Sequence, residues 1–212
     1  MKKLLVFLAV LFVSVMSSAC INNFAIQELN TKAKEYLDKG DYDEAIKRLE
    51  SSVDLDGSIF EARYNLAVAY THKEEFSKAV NQLNEAIKLN PANPDAYYTL
   101  GVVLEGEAYK KLETVSDENL QRETESLSNT GEKSDEIDEA KQAEENSKSA
   151  EFAANKLNEA IKAYEKYLKV SKDSKDADTI TEHIKELQAE IAECRKYMVE
   201  EENNAESLES KS

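Results

Sequence analysis

From Ile26 onward the apolar positions recur at steps of three and four, the spacing of an amphipathic helix with one buried face. The pattern between Ile26 and Ile59 returns 34 positions later between Phe60 and Asn93. Small residues coincide, Ala33 with Ala67 and Ala45 with Ala79, and so do larger apolar ones: Tyr36 with Tyr70, Tyr42 with Phe76, Ile46 with Val80, Leu49 with Leu83 and Leu55 with Leu89. The pattern predicts helices over 25–38, 42–54, 60–73, 77–89 and 94–115. Asp41 and Glu44 form a D-x-x-E pair suited to cap the second helix, and Asn90-Pro91 and Asn93-Pro94 punctuate the end of the second copy. One helix pair cannot bury its own apolar face, so a third copy is expected. Pro94 to Leu104 begins it, with Tyr97, Leu100, Gly101 and Leu104 in register. The alanine due at position 113 comes only at Ala160, followed by Ile161, Tyr164, Tyr167, Leu168 and Val170.

The interruption is polar, and its acidic side chains outnumber Arg122, Lys133, Lys141 and Lys148. Two outcomes stay open. The flanking helices either lengthen into a hairpin turning at Ser128-Asn129-Thr130-Gly131, or the tip stays disordered because Ala and Ser bury too little area to offset chain entropy. Ala140, Ala143, Ser147, Ala150, Ala154, Leu157, Ile161, Tyr164 and Leu168 form a narrow seam of three-and-four spacing, which predicts a continuous helix over 136–170 with 116–134 mobile. After a loop at 173–178, the stripe Ile180, Ile184, Leu187, Ile191, Cys194 and Met198 predicts a closing helix over 177–198, with Cys194 a small core residue. Residues 200–212 read as a solvated acidic tail.

In the second copy Leu66, Ala67, Tyr70, Phe76, Ala79, Leu83, Ala86 and Pro91 stand at the signature places of the tetratricopeptide family, which this chain resembles. The first copy departs from the family with Lys32, Ser52 and Gly57. The resemblance implies an all-α tetratricopeptide solenoid of about three helix-turn-helix repeats, at 26–59, 60–93 and 94–172. The third would be split by the insertion at about 109–155, with a capping helix at 173–199 and the tail at 200–212. It further implies that the first helix of each repeat lines a concave groove, placing there Asn30, Lys34 and Leu37, then Tyr64, Val68 and His72, then Tyr98, Val102 and Glu105. The expected occupant is another protein or a peptide held by apolar anchors. Some family members grip a C-terminal carboxylate with lysine, arginine and asparagine, but Asp95 and Tyr98 stand in the third repeat instead. A second reading gives the functional contact to the acidic helical arm, through coiled-coil pairing or self-association.

The N-terminus adds a location. Lys2 and Lys3, the apolar stretch Leu4 to Met16 and the small residues Ser17-Ser18-Ala19 read as a signal peptide over 1–19, since the apolar run is shorter than the roughly 20 residues a membrane helix needs. Cys20 directly after it resembles the lipidated cysteine of bacterial lipoproteins, although Ser17 departs from the usual leucine and also suits ordinary cleavage. Residues 20–25 would then be a short tether. Two acyl chains suffice for stable anchoring at about 0.8 kcal/mol per CH2. The expectation is an exported envelope lipoprotein facing the periplasm or exterior; Ile21 after the cysteine resembles lipoproteins not retained on an inner membrane.

A net charge of −16 excludes a nucleic-acid surface and leaves acyl chains as the route to a membrane. Two cysteines at opposite ends of the chain make no disulfide framework. His72 and His183 lack metal-ligand neighbours at helical spacing, the carboxylates at 38–43 and 54–57 do not follow a calcium loop, and no G-x-S-x-G or phosphate-cradling glycine loop occurs. Neither an enzyme nor a cofactor or small-molecule substrate is expected.

Overall fold

The structure, a computed structural model, describes residues 23–128, 135–171 and 175–209, and these form seven helices and no strand. They are α1 (23–38), α2 (Tyr42–Leu55), α3 (Phe60–His72), α4 (Phe76–Leu89), α5 (Pro94–Ser128), α6 (Asp135–Val170) and α7 (Ala177–Glu209). The chain divides into two compact units, one ending at Pro91 and the other beginning at Ala92. The signal-peptide segment, Cys20 and Ile21, and the tip at 129–134, lie outside the described residues.

In the first unit the four matched alanines, Ala33, Ala45, Ala67 and Ala79, are completely buried. With no side chain beyond Cβ, each lets a neighbouring helix approach closely. Helices α2 and α4 bury single stripes, Ala45-Leu49-Ser52 and Ala79-Leu83-Ala86. Helix α3 packs against both α2 and α4, and accordingly buries Ala62, Leu66, Ala67, Ala69 and Tyr70 around much of its circumference. Each buried leucine contributes about 1.5–3 kcal/mol.

The turns inside the two repeats are the same turn made with different residues. After α1, Gly40 takes φ +74° and Asp41 N–H donates to Tyr36 O at 2.9 Å. After α3, Glu74 takes φ +56° and Glu75 N–H donates to Tyr70 O at 2.9 Å. A glutamate therefore occupies the left-handed region that glycine adopts freely. Only half of the expected capping box forms: Asp41 Oδ1 accepts from Glu44 N–H at 3.3 Å, while the Glu44 carboxylate turns to Lys47. Gly57, where the family carries proline, leaves room for Arg63, whose Nε donates to Gly57 O at 2.6 Å and whose Nη1 reaches Gln82 on α4.

In the second unit Asn93 Oδ1 accepts from Ala96 N–H at 3.1 Å and Pro94 opens α5, a capped start with proline at the first helical position. Helix α6 packs on both α5 and α7. Its seam Ala143, Ala150, Ala154, Leu157, Ile161 and Tyr164 is buried, and so is a second row, Asn146, Ser149, Ala153, Ala160 and Ala163. That second row exists because α7 returns along α6, burying Ile180, Ile184, Leu187 and Ile191. Gly101 lies against the Tyr164 ring so closely that a Cβ there would come within 2.6 Å of ring atoms.

Two expected boundaries move. Helix α5 does not end near 115 but continues to Ser128, so 116–128 of the segment expected to be mobile are helical. Helix α7 does not end near Met198 but continues to Glu209, through ten of the residues read as a tail. Neither extension contains glycine or proline, and both are rich in residues of good helix propensity, so nothing local stops the helix once a neighbour has started it.

Candidate functional site

The predicted groove residues fall in both units. In the first, Lys34 is exposed, Leu37 half-buried, and Asn30 half-buried with its Oδ1 enclosed and without a hydrogen bond. On α3, Tyr64 and Val68 are half-buried, and His72 is exposed at the helix end with its ring stacked on Tyr42 at 4.2 Å between centroids. In the second unit α5 presents Tyr98 and Val102 at 43% and 41% exposure. The Tyr98 ring leans edgewise on Tyr164 and Tyr167, whereas Tyr97 one residue earlier is buried.

Glu105 behaves differently from its two companions. Its carboxylate accepts from the Tyr164 hydroxyl, and both its oxygens lie 3.0 Å from His183 Nε2, joining α5, α6 and α7. Burial works to lower the His183 pKa, but Glu105 and then Glu186 outweigh it and raise the value above its ordinary level. Burial and the same carboxylate push the Tyr164 hydroxyl well above the ordinary tyrosine range. Four residues further along α5 the Tyr109 hydroxyl donates to Glu190 Oε2 at 2.7 Å. Glu105 is therefore a clasp within the unit. Chemically, the carboxylate, imidazole and phenol satisfy one another and leave no activated nucleophile.

Beyond Tyr109 the helices part around a cavity of about 530 Å³, walled by Leu112, Val115, Ala150, Cys194 and Tyr197. Asn146 Nδ2 donates to Tyr197 Oη at 3.3 Å at its floor. Cys194, expected in the core, is half-buried beside this space as a free thiol, and burial followed by Glu190 raises its pKa, which keeps it protonated. Sequence reasoning missed Tyr109 and the cavity. Tyr109 was findable, since it continues the 98, 102, 105 spacing; the cavity was not, because it depends on where α7 lies. Among the described residues no cluster of three His, Cys, Asp or Glu side chains is arranged to hold a metal, and no helix is long and apolar enough to cross a membrane.

The tetratricopeptide-repeat family model matches residues 33–74 and 69–107. No curated protein matches the chain. Among solved structures, the MamA protein is 24% identical with a TM-score of 0.53, covering 92% of this chain and 79% of that one. The first tetratricopeptide domain of human RPAP3 is 22% identical with a TM-score of 0.50, covering 81% and 95%. The Arabidopsis OM64 tetratricopeptide domain is 14% identical with a TM-score of 0.50, covering 78% and 98%. The fold is all-α and tetratricopeptide.

Proposed function

We propose that this chain is a protein-binding scaffold that takes a partner protein or peptide on the exposed first-helix faces of its repeats. The observation that carries the reading is on α5, where Tyr98 and Val102 stay exposed while their neighbours Tyr97, Val103 and Leu104 are buried. Binding energy concentrates on aromatic anchors such as tyrosine, with neighbouring apolar contacts excluding water around them. Tyr64 and Val68 supply a smaller apolar area on α3. The first tetratricopeptide domain of Spaghetti (RPAP3), whose structure is also similar, was solved bound to an HSP90 peptide, SRMEEVD. In this chain Asp95 and Tyr98 stand where a carboxylate clamp would need cations, so an acidic peptide terminus is not the proposed ligand.

The proposed location is the cell envelope, with Cys20 lipidated and the repeats held near a membrane surface by acyl chains, as its position after Ser17-Ser18-Ala19 supports. Crosslinking in the native cell followed by mass spectrometry tests both halves. The expected result is a recurrent partner whose yield falls with Tyr64→Ala plus Tyr98→Ala at unchanged helicity, and an acylated peptide beginning at Cys20. An unchanged yield rejects the binding faces, and an unmodified Cys20 in the membrane fraction rejects the anchor.

A further inference from the structure

Positions 98, 102, 105, 109, 112 and 116 of α5 follow one another by alternating steps of four and three, and so form one stripe. Glu105 is consumed by its clasp; Tyr98, Val102 and Tyr109 stay exposed, and Leu112 walls the cavity. Facing this stripe, α7 carries a second one with the same spacing: Glu186, Glu190, Glu193 and Tyr197. The contacts Glu105–His183 and Tyr109–Glu190 show that the two stripes run side by side, with α6 beneath both. Between them runs a groove bridged by these two contacts, with one largely apolar wall and one acidic wall, and at its far end lies the 530 Å³ cavity, whose lining adds Ser116, Asn146, Ser149, Glu193 and Glu200 to the apolar residues. Asp95 and Glu113 add carboxylates at the outer edge of the α5 wall. Among the described residues that line the cavity the one cation is Lys196, engaged with Glu200 at 3.6 Å, and on the acidic wall Glu186 lies 3.4 Å from His183 Nδ1.

We infer that the α5–α7 groove docks a cationic amphipathic helix of a partner protein, which completes α5, α6 and α7 as a fourth helix. Its apolar side chains lie on Tyr98, Val102 and Tyr109, one bulky apolar residue enters the cavity, and its lysines or arginines face Glu186 and Glu193. Charge selects the occupant: an anionic helix would bring like charges against the glutamate wall, while the chain's net charge of −16 steers a cationic one toward it. The inference rests on the α5 face being a binding surface and adds the chemical class of what binds there.

The test uses the full chain carrying Cys20→Ser, so that Cys194 is its one thiol, and two fluorescein-labelled helical peptides of about 18 residues, or roughly 27 Å. One is built from leucine and lysine, the other from leucine and glutamate with the same apolar spacing. The Leu/Lys peptide is expected to bind at least about tenfold tighter than the Leu/Glu peptide, to weaken with added salt, and to slow maleimide labelling of Cys194. Glu186→Gln with Glu193→Gln should weaken it roughly fivefold or more, and Glu151→Gln with Glu165→Gln on the exposed face of α6 should not. Equal weakening by the two pairs, or unchanged Cys194 labelling, overturns the docking site. Tight binding of the Leu/Glu peptide that Tyr98→Ala plus Val102→Ala abolishes would overturn the charge class while leaving the binding surface standing. Binding of neither peptide overturns the inference, and the fate of the wider scaffold reading is then decided by the crosslinking yield.

Discussion

Residues up to Pro91 and residues from Ala92 onward hold their helices together by different means. The first unit relies on alanines at repeating positions, and its cross-helix polar contacts, such as Tyr70 to Glu50 and Lys73 to Asp43 at 3.0 Å, end on carboxylates that stand in solvent. The second unit joins three long helices through contacts farther inside: Tyr164 and His183 on Glu105, whose side chain is only 13% exposed, and Lys156 on Glu107 at 3.0 Å. Small residues at fixed spacing set how near two short helices can come. They do not set register between long helices whose seams repeat along their length, because a slip by one heptad would bring alanine against alanine again. A slip of α7 along α5 would separate His183 from Glu105 and Tyr109 from Glu190 together. Specific polar contacts are thus placed where the apolar pattern alone is ambiguous.

The contrast is broken or sharpened most strongly at Tyr164. Tyr164→Ala should lower stability by about 3–5 kcal/mol, because it empties the space beside Gly101 and deprives Glu105 of a donor. Tyr164→Phe should cost about 1.5–3 kcal/mol, the range for a hydrogen bond to a charged group, and Tyr70→Phe less, since its acceptor Glu50 is exposed. Urea denaturation of the two phenylalanine variants checks this, and equal losses would remove the distinction between the units. Next in size, Gly101→Ala should cost about 1–3 kcal/mol in the native background. In the Tyr164→Ala background the same change should be neutral or stabilising, because the obstructing ring is gone and alanine is the better helix former.

A smaller effect of opposite sign is expected in the first unit. Ser52, which stands where the family has alanine, is fully buried with its Oγ unpartnered, so Ser52→Ala should raise stability by about 1 kcal/mol. A loss would mean that the hydroxyl serves a contact that alanine cannot replace. The smallest effect is a pH dependence at His183. Its folded pKa is raised, so the stabilisation is fully present below the unfolded value of about 6.5 and is lost as pH rises through the higher folded value. The stability difference between the native chain and His183→Gln should therefore be larger at pH 6 than at pH 8.5. A difference independent of pH would show that the imidazolium does not hold the clasp.

The helix-turn-helix pattern was legible because its cause is local and repeated: Ala33, Ala45, Ala67 and Ala79 mark close approaches, and all four are buried. The core stripe of α7 was readable from Ile180 to Ile191 for the same reason. Of the residues that the family resemblance assigned to first-helix faces, Tyr98 and Val102 are exposed, whereas Glu105 is held in the clasp. Nothing near Glu105 in the chain announces His183 or Tyr164, which are 78 and 59 positions away. The extensions of α5 and α7 were undervalued because a polar segment with few apolar anchors reads as unable to order itself alone.

The amino-acid order by itself determined which segments of the repeats are helical, which face of each short helix is apolar, and where neighbouring helices can approach closely. Those properties follow from side-chain size and from a period that any helix imposes. Only the tertiary structure decided that α7 lies beside α5 with α6 beneath, that Glu105 is withdrawn into a clasp, and that an apolar stripe and an acidic stripe border one groove. Such juxtapositions depend on which of several similar seams come together, and that choice is made by contacts between residues far apart in the chain.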